Sequence, residues 1–181
     1  MTAHSMDAPE LSRRSLLKVG LLGSAFLATA GVTASLSGCS ASVPAQGLTI
    51  LRDGDLPFLR ALIPVILEGA VPAEKMEAAV GKTIAGIDYS LNRFSPEMAK
   101  LTIQLFDVLA MGVTRGPLTG IWGSWEKASA DDIRHFLGRW QNSSLGLLKM
   151  GHASLLQLVM LAWYGNPDSW GHCGYPGPPT V

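Results

Sequence analysis

Charge and cysteine are both scarce in this sequence. Only 15% of the 181 residues are charged, and the acidic and basic side chains balance to a net charge of zero. Neither half has a basic excess or a run of like charge, so nothing indicates a nucleic-acid-binding protein. The two cysteines are Cys39 and Cys173. If processing uses Cys39, Cys173 has no partner within the chain, and an apolar core must stabilise the fold.

Motifs for catalysis and cofactor binding are also missing. The chain has no Gly-x-Gly-x-x-Gly dinucleotide motif, no Gly-x-x-x-x-Gly-Lys-Ser/Thr phosphate-binding loop and no Cys-x-x-Cys-His haem site. His-Glu-x-x-His and Gly-x-Ser-x-Gly are absent as well. We therefore expect no cofactor and no catalytic residue in this chain.

A basic leader opens the sequence. Residues 12–18 read Ser-Arg-Arg-Ser-Leu-Leu-Lys and fit the twin-arginine export pattern, whose signal residues here are Arg13, Arg14, Leu16, Leu17 and Lys18. Residues 19–36 carry no charge and form the mildly apolar stretch that such signals need. Twin-arginine export moves folded proteins, so we expect either a cofactor in this domain or a partner that is exported with it.

The leader ends in Leu36-Ser37-Gly38-Cys39, which resembles a bacterial lipobox. Cleavage before Cys39 would leave that cysteine to carry a diacylglycerol, and several acyl chains together anchor a protein stably. An uncleaved membrane helix over residues 19–36 is the alternative. The sequence predicts a signal peptide over residues 1–39 and a mature protein on the periplasmic side, lipid-anchored to the inner or the outer membrane.

The rest of the chain has a helical pattern. Residues 40–47 are predicted to be a polar linker, and residues 48–181 a small, irregular all-α bundle of five to six helices. The helices are expected from Asp53 or Asp55 to Glu68, Pro72 to Phe94, Ser95 to Leu109, Leu118 to Lys127, Ser129 to Trp140, and Leu145 to Tyr164. The last of these is the most apolar and is predicted to be the centre of the bundle. Residues 112–117 are expected to interrupt the helical pattern.

An extended Pro/Gly-rich tail is predicted after the helices. Residues 166–179 are rich in turn formers and have no helical period. The tail contains Trp170 and Tyr175, whereas disordered tails usually lack aromatic residues. We expect it to lie on a surface, either that of this domain or that of a partner.

Few other residues are candidates for a site. Trp122 and Trp125 are predicted to share one face of a short helix, either in the core or at an interface. Asp131, Asp132 and His135 could bind a metal, but the sequence favours acids at a helix N-terminus and a solvated histidine. His152 could be a haem ligand or a hydrogen-bonded core residue. His172-Cys173 could be a redox or metal pair, or an unpaired or intermolecular cysteine beside a histidine.

The C-terminal residues carry a family resemblance. Ala162–Trp170 reads Ala-Trp-Tyr-Gly-Asn-Pro-Asp-Ser-Trp, and Gly174–Pro178 reads Gly-Tyr-Pro-Gly-Pro. Together they resemble the tail motif of the gluconate 2-dehydrogenase subunit 3 family, whose members also have a twin-arginine leader and a small helical domain. The resemblance implies a large FAD-dependent partner of the glucose–methanol–choline oxidoreductase class, often joined by a c-type cytochrome. The lipobox at Cys39 is not a general feature of that family, and the resemblance implies no role for the dipeptide His172-Cys173.

The sequence therefore predicts a non-catalytic small subunit that escorts a folded flavoprotein through export and anchors it at the membrane. The expected contact residues are Trp122, Trp125, Trp163, Tyr164, Pro167, Trp170, Tyr175, Pro176, Gly177 and Pro178. Two alternatives remain. One is a stand-alone periplasmic lipoprotein that binds an apolar ligand in its bundle, and the other is a small enzyme that uses His172 and Cys173.

Overall fold

The computed structural model describes residues 43–179. This part of the chain forms an all-α unit with seven α-helices, which confirms the predicted fold class but exceeds the expected five or six helices. The helices are α1 Leu56–Ile66, α2 Met76–Leu91, α3 Pro96–Ala110, α4 Gly112–Thr119, α5 Ala130–Gln141, α6 Gly146–Tyr164 and α7 Pro167–Cys173. Short 3-10 turns occupy Asp53–Asp55, Ala73–Lys75 and Trp125–Lys127. None of these described helices is both long enough and apolar enough to cross a bilayer.

An N-terminal strap, residues 44–52, packs on the helices. The compact unit begins at Pro44, earlier than the boundary predicted at Leu48. Ala45 is buried, and its N–H donates to the carbonyl oxygen of Leu51 over 2.8 Å. The strap has a turn, bends and one isolated bridge between Pro44 and Arg52. The second half of the predicted linker therefore belongs to the folded domain.

Helix α1 lies at the centre of the fold. It packs against α2, α3, α5 and α6, and it buries Phe58, Leu59, Leu62 and Ile63 almost completely. Pro64 lies inside α1 and does not divide it. The sequence-based expectation that the apolar helix α6 would be central is wrong, because that helix buries one face and exposes apolar side chains on the other.

Aromatic rings join the helices of the core. Phe58 of α1 lies edge-on to Phe106 of α3, with ring centroids 5.1 Å apart. Phe136 of α5 packs between Trp125 and Trp140, with centroid separations of 6.0 Å and 4.9 Å. Such tilted contacts suit the charge distribution of aromatic rings. These rings connect α1, α3 and α5 with the turn that contains Trp125.

Two predicted helix starts are confirmed in atomic detail. The hydroxyl of Ser95 accepts a hydrogen bond from the N–H of Met98 at the start of α3. Ser129 and Asp132 form a capping box at the start of α5. A serine at the N-cap bonds only to residues within three positions of itself. The signal for a helix start is therefore local, and the sequence alone locates the starts of α3 and α5.

Helix α4 was not expected. Residues 112–117 were predicted to break the helical pattern, and a helix was predicted from Leu118 to Lys127. The structure instead has a helix over Gly112–Thr119, which ends at Gly120 in the left-handed conformation (φ 85°). The ring of Trp122 packs directly against Gly116. A Cβ added at Gly116 would lie only 2.6 Å from the indole, so no larger residue fits there without a shift of the ring. Tertiary packing of this kind can outweigh the poor helix propensity of glycine and proline.

Candidate partner-binding surface

The predicted tail begins with a helix. Asn166 accepts a hydrogen bond from the N–H of Asp168 over 3.0 Å, and Pro167 occupies the first turn, so α7 starts with favourable capping residues. Ser169 is buried and its hydroxyl donates to the carbonyl of Asn166. Gly174 ends the helix with φ 68°. The prediction of a turn-rich tail is therefore wrong over Pro167–Cys173, because Asn-Pro can begin a helix as well as a turn.

The residues after α7 fold back over Trp170. The indole Nε1 of Trp170 donates to the carbonyl of Tyr164 over 3.1 Å, which fixes the ring against the end of α6. The ring of Tyr175 meets the Trp170 indole edge-to-face with centroids 5.3 Å apart. The N–H of Tyr175 also donates to the Trp170 carbonyl over 2.9 Å. Gly177 (φ 100°) lies close to the indole, and an added Cβ would lie 3.2 Å from it.

This arrangement creates an exposed aromatic and proline-rich patch, which we call the C-terminal surface. Its members are exposed or partly exposed: Tyr164, Pro167, Trp170, Tyr175, Pro176, Gly177 and Pro178. All seven were predicted to contact a partner. Because hydrogen bonds and ring contacts hold Trp170 and Tyr175, their ordering would cost little entropy on binding.

Two other predicted contact residues lie in the core. Trp125 is 2% exposed, and its Nε1 donates to the carbonyl of Leu109 over 2.8 Å. Trp163 is also buried, on the inner face of α6. The structure therefore places both side chains in the core, where Trp125 offers almost no accessible surface and Trp163 shows only an edge, at the groove described below. Their partners are distant in sequence, so no local pattern reveals their burial.

Trp122 is exposed but belongs to a different region. It lies in the loop after α4 with 78% of its surface accessible, and its ring covers Gly116. The predicted shared helical face of Trp122 and Trp125 does not exist, since one side chain lies outward in a loop and the other is buried in a 3-10 turn. Trp122 remains available for a contact of its own.

A groove that the sequence did not indicate runs beside the C-terminal surface. It has a volume of about 540 Å³ and lies between the start of α2 and the helices α6 and α7. Val71, Ala79 and the edge of Trp163 form apolar walls, while Asp168 and His172 lie at its rim. An ion pair between Lys82 and Asp168 joins α2 to α7. An apolar side chain of a partner could enter this groove.

The polar candidates are spread over several elements. Asp132 accepts hydrogen bonds in the capping box of α5, Asp131 pairs with Arg134, and His135 is exposed. His152 is half-buried, and this burial lowers its pKa below the ordinary histidine value. Within the described residues, no three His, Cys, Asp or Glu side chains come together as metal ligands.

His172 and Cys173 are neighbours in the last turn of α7, and both are exposed. The thiol of Cys173 is directed at the helix backbone, with its Sγ 3.4 Å from the carbonyl oxygen of Ser169. This contact lies within the helix, and the hydrogen bonds of the thiol bring no second reactive side chain to it.

The export and lipidation residues lie outside the described part of the chain. These are Arg13, Arg14, Leu16, Leu17, Lys18 and Cys39. Comparison with known proteins adds no relative: no protein-family model matches the chain, and no curated protein or solved structure is significantly similar to it.

Proposed function

We propose that this chain is the non-catalytic small subunit of an exported, FAD-dependent dehydrogenase of the glucose–methanol–choline class. In this role the chain supplies the twin-arginine signal, binds the folded flavoprotein before export, and anchors it at the periplasmic side of the membrane through Cys39. A c-type cytochrome is a further candidate partner. FAD belongs to the large subunit, and this chain holds no cofactor.

The observation that carries the proposal is the tail motif. Residues 162–178 combine the family-like sequence with an ordered, accessible aromatic pair, Trp170 and Tyr175. Tryptophan and tyrosine are enriched among the side chains that dominate binding energy at protein interfaces. A folded-export signal on a chain without cofactor motifs supports the same role, because such a signal is needed when the partner must fold around its cofactor in the cytoplasm.

The test uses substitutions in the C-terminal surface. We expect Tyr175→Ala to weaken binding of the large subunit about thirtyfold, and so to reduce the amount that co-purifies with the tagged chain, because truncating an aromatic hot spot costs about 2 kcal/mol. Trp170→Ala should reduce it further, since that side chain also holds Tyr175 in place. Tyr89→Ala is the matched control, because Tyr89 is an exposed tyrosine on α2.

Unchanged recovery of the large subunit with both tail variants, in samples whose helix content equals that of the wild type, would exclude the C-terminal surface as the contact. Equal losses with Tyr89→Ala would show a general effect of removing surface aromatic residues.

A second candidate function rests on a groove of about 590 Å³ beside α1. The apolar side chains of Pro57, Pro64, Val65 and Ile133 line it together with Asp53, Arg60 and Glu126, so a stand-alone lipoprotein could hold a mainly apolar ligand with a polar end there. Native mass spectrometry of the purified chain tests this alternative. A single chain with a bound lipid mass would favour it, and a complex with a large flavoprotein would favour the escort function.

A further inference from the structure

Helix α6 exposes a row of uncharged side chains along its length, apolar at both ends and polar in the middle. The inner face buries Leu155, Val159 and Trp163, among others. On the outer face, six exposed residues follow one another at alternating steps of three and four: Leu147, Met150, Ser154, Gln157, Leu161 and Tyr164. The exposed fraction of the apolar members ranges from 38% for Tyr164 to 76% for Leu147. We call this row the α6 seam.

The spacing of the seam is that of a coiled-coil contact. Side chains three and four residues apart line one side of a helix, and a repeat of alternating three and four steps is the heptad pattern that packs against another helix. Surface helices of a monomer normally carry polar side chains on the outer face. The α6 seam instead carries four large apolar side chains and no charge.

The order of residue types along the seam is the same in both directions. From either end it reads apolar, apolar, polar, polar, apolar, apolar. Two copies in antiparallel orientation would therefore place Leu147 against Tyr164 and Met150 against Leu161. The hydroxyl of Ser154 would meet the amide of Gln157, and these two groups can exchange hydrogen bonds.

Residues beside the seam do not oppose such pairing. Ala153 and Met160 flank it and are exposed, so a second helix would meet small or apolar side chains. Lys149 is the charged residue of α6, and its position in the heptad lies away from the seam. Self-pairing therefore brings no like charges together in the seam, and the central polar layer would select one register, as polar seam residues do in coiled coils.

From this pattern we propose that the chain forms a twofold-symmetric homodimer through antiparallel pairing of its α6 seams. A twofold interface requires a self-complementary patch, because every contact between two residues occurs twice, once from each subunit. The seam is about 26 Å long. One helix face is narrow compared with the roughly 800 Å² per subunit of a standard interface, so the dimer is reversible and depends on concentration.

The first experiment measures the mass of the full-length chain by analytical ultracentrifugation in density-matched detergent. The wild type should shift from monomer to dimer as its concentration rises. Met150→Lys and Leu161→Glu should each weaken association tenfold or more, because each places an unpaired charge in the contact. The double variant should recover dimerisation, since the lysine introduced into one copy then meets the glutamate introduced into the other.

Val113→Glu is the matched control, because Val113 is an exposed apolar residue on α4. It should leave the dimer intact. A wild type that stays monomeric at every concentration, or a double variant as weak as the single ones, would overturn the proposal. A wild type that stays monomeric and binds more detergent than Met150→Lys would show that apolar lipid chains cover the seam instead.

Cross-linking tests the orientation. In a Cys173→Ser background, Leu147→Cys combined with Tyr164→Cys should form a disulfide-linked dimer, because these positions meet in the antiparallel pair. Leu147→Cys alone should not, since the two copies of residue 147 lie about 26 Å apart. A dimer linked through Leu147→Cys alone would contradict the antiparallel arrangement. Tyr164 belongs to both the seam and the C-terminal surface, but Met150→Lys and Leu161→Glu change no residue of the C-terminal surface, so the dimer and the escort function can fail separately.

Discussion

At the residue scale, Trp125 connects three helices of the core, although it lies in a short turn. Its indole contacts the aromatic rings of α1 and α5, with centroids 6.1 Å from Phe58 and 6.0 Å from Phe136. Its Nε1 donates to the carbonyl of Leu109, so the same side chain also satisfies a backbone group at the end of α3. Trp122, three residues earlier, has none of these contacts and is exposed.

The two tryptophans should therefore respond differently to truncation. We expect Trp125→Ala to lower the free energy of unfolding by about 3–5 kcal/mol, because it leaves a cavity and an unpaired carbonyl. Trp122→Ala should cost about 1 kcal/mol or less. Urea unfolding of both variants measures the difference. Equal costs would contradict the assignment of Trp125 to the core and Trp122 to the surface.

Asp88 is the second residue with a role beyond its own helix. Its carboxylate accepts the backbone N–H groups of Thr49, Ile50 and Leu51 at 2.8–2.9 Å, which ties the N-terminal strap to α2. Burial by itself would raise the pKa of Asp88, but these donors outweigh it and lower the pKa below the ordinary value. A lowered pKa means that the folded state favours the ionised carboxylate.

This direction predicts a pH dependence. The pKa of Asp88 is lower in the folded state than in the unfolded state. Its contribution to the free energy of unfolding is therefore complete at pH values above the unfolded-state pKa of about 3.9, and it is lost as the pH falls through the folded-state pKa. Asp88→Asn should cost about 2 kcal/mol near pH 7, since hydrogen bonds to a charged group are strong. The difference between wild type and variant should shrink between about pH 5 and pH 2. Chemical unfolding over this range measures it, and a difference independent of pH would be inconsistent with an ionised Asp88.

At the element scale, close helix contacts depend on residues without side chains. Gly86 of α2 lies against Ala162 of α6, where an added Cβ would be 3.1 Å from that alanine's Cβ and carbonyl oxygen. Gly151, nearer the start of α6, faces the ring of Trp140, and an added Cβ would lie 2.6 Å from the indole. Trp140 cannot move freely, because its Nε1 donates to the carbonyl of Leu118.

The same substitution should therefore have opposite effects in two helices. Gly151→Ala should destabilise the protein by about 1–3 kcal/mol, because overpacking against Trp140 exceeds the gain in helix propensity. Gly138→Ala in α5 meets open space and should stabilise it by about 0.5–1 kcal/mol. Thermal unfolding of the two variants compares them. Stabilisation by Gly151→Ala would show that α6 packs less tightly on α5 than this contact requires.

Helix ends were predictable where their signals are local. Ser95 and Ser129 act as caps within three residues of their partners, so the sequence alone locates α3 and α5. Helix α4 could not be predicted, because Gly112, Gly116 and Pro117 have poor helix propensity, and its contacts with α3 and α5 are not visible in a local sequence pattern. In α7, Asn166-Pro167 is both a turn signal and a helix start, and only the contacts of the following residues decide between them.

The candidate surface was predictable only in part for a similar reason. The tail motif pointed to Trp170 and Tyr175, which the structure places together at the surface. Trp163 belongs to the same stretch of sequence but lies inward, because one helical step decides whether a side chain meets the core. An apolar helix such as α6 likewise has the same composition whether it is covered on one side or on both.

At the scale of the whole molecule, we propose that three parts of the chain have different tasks, with Tyr164 shared by the last two. We assign export and anchoring to residues 1–39, binding of the flavoprotein to the C-terminal surface, and self-association to the α6 seam. The helical core keeps the last two regions on a stable scaffold. The central claim is that this chain travels and functions with a flavoprotein that it does not itself resemble.

The measurement that tests this claim most directly is affinity purification of the tagged full-length chain from detergent-solubilised membranes, followed by an absorbance scan for flavin. The account predicts a yellow complex with a much larger second chain, and Arg13→Lys with Arg14→Lys should retain both chains in the cytoplasm. A colourless single chain, recovered in good yield with lipid on Cys39, would contradict the partnership.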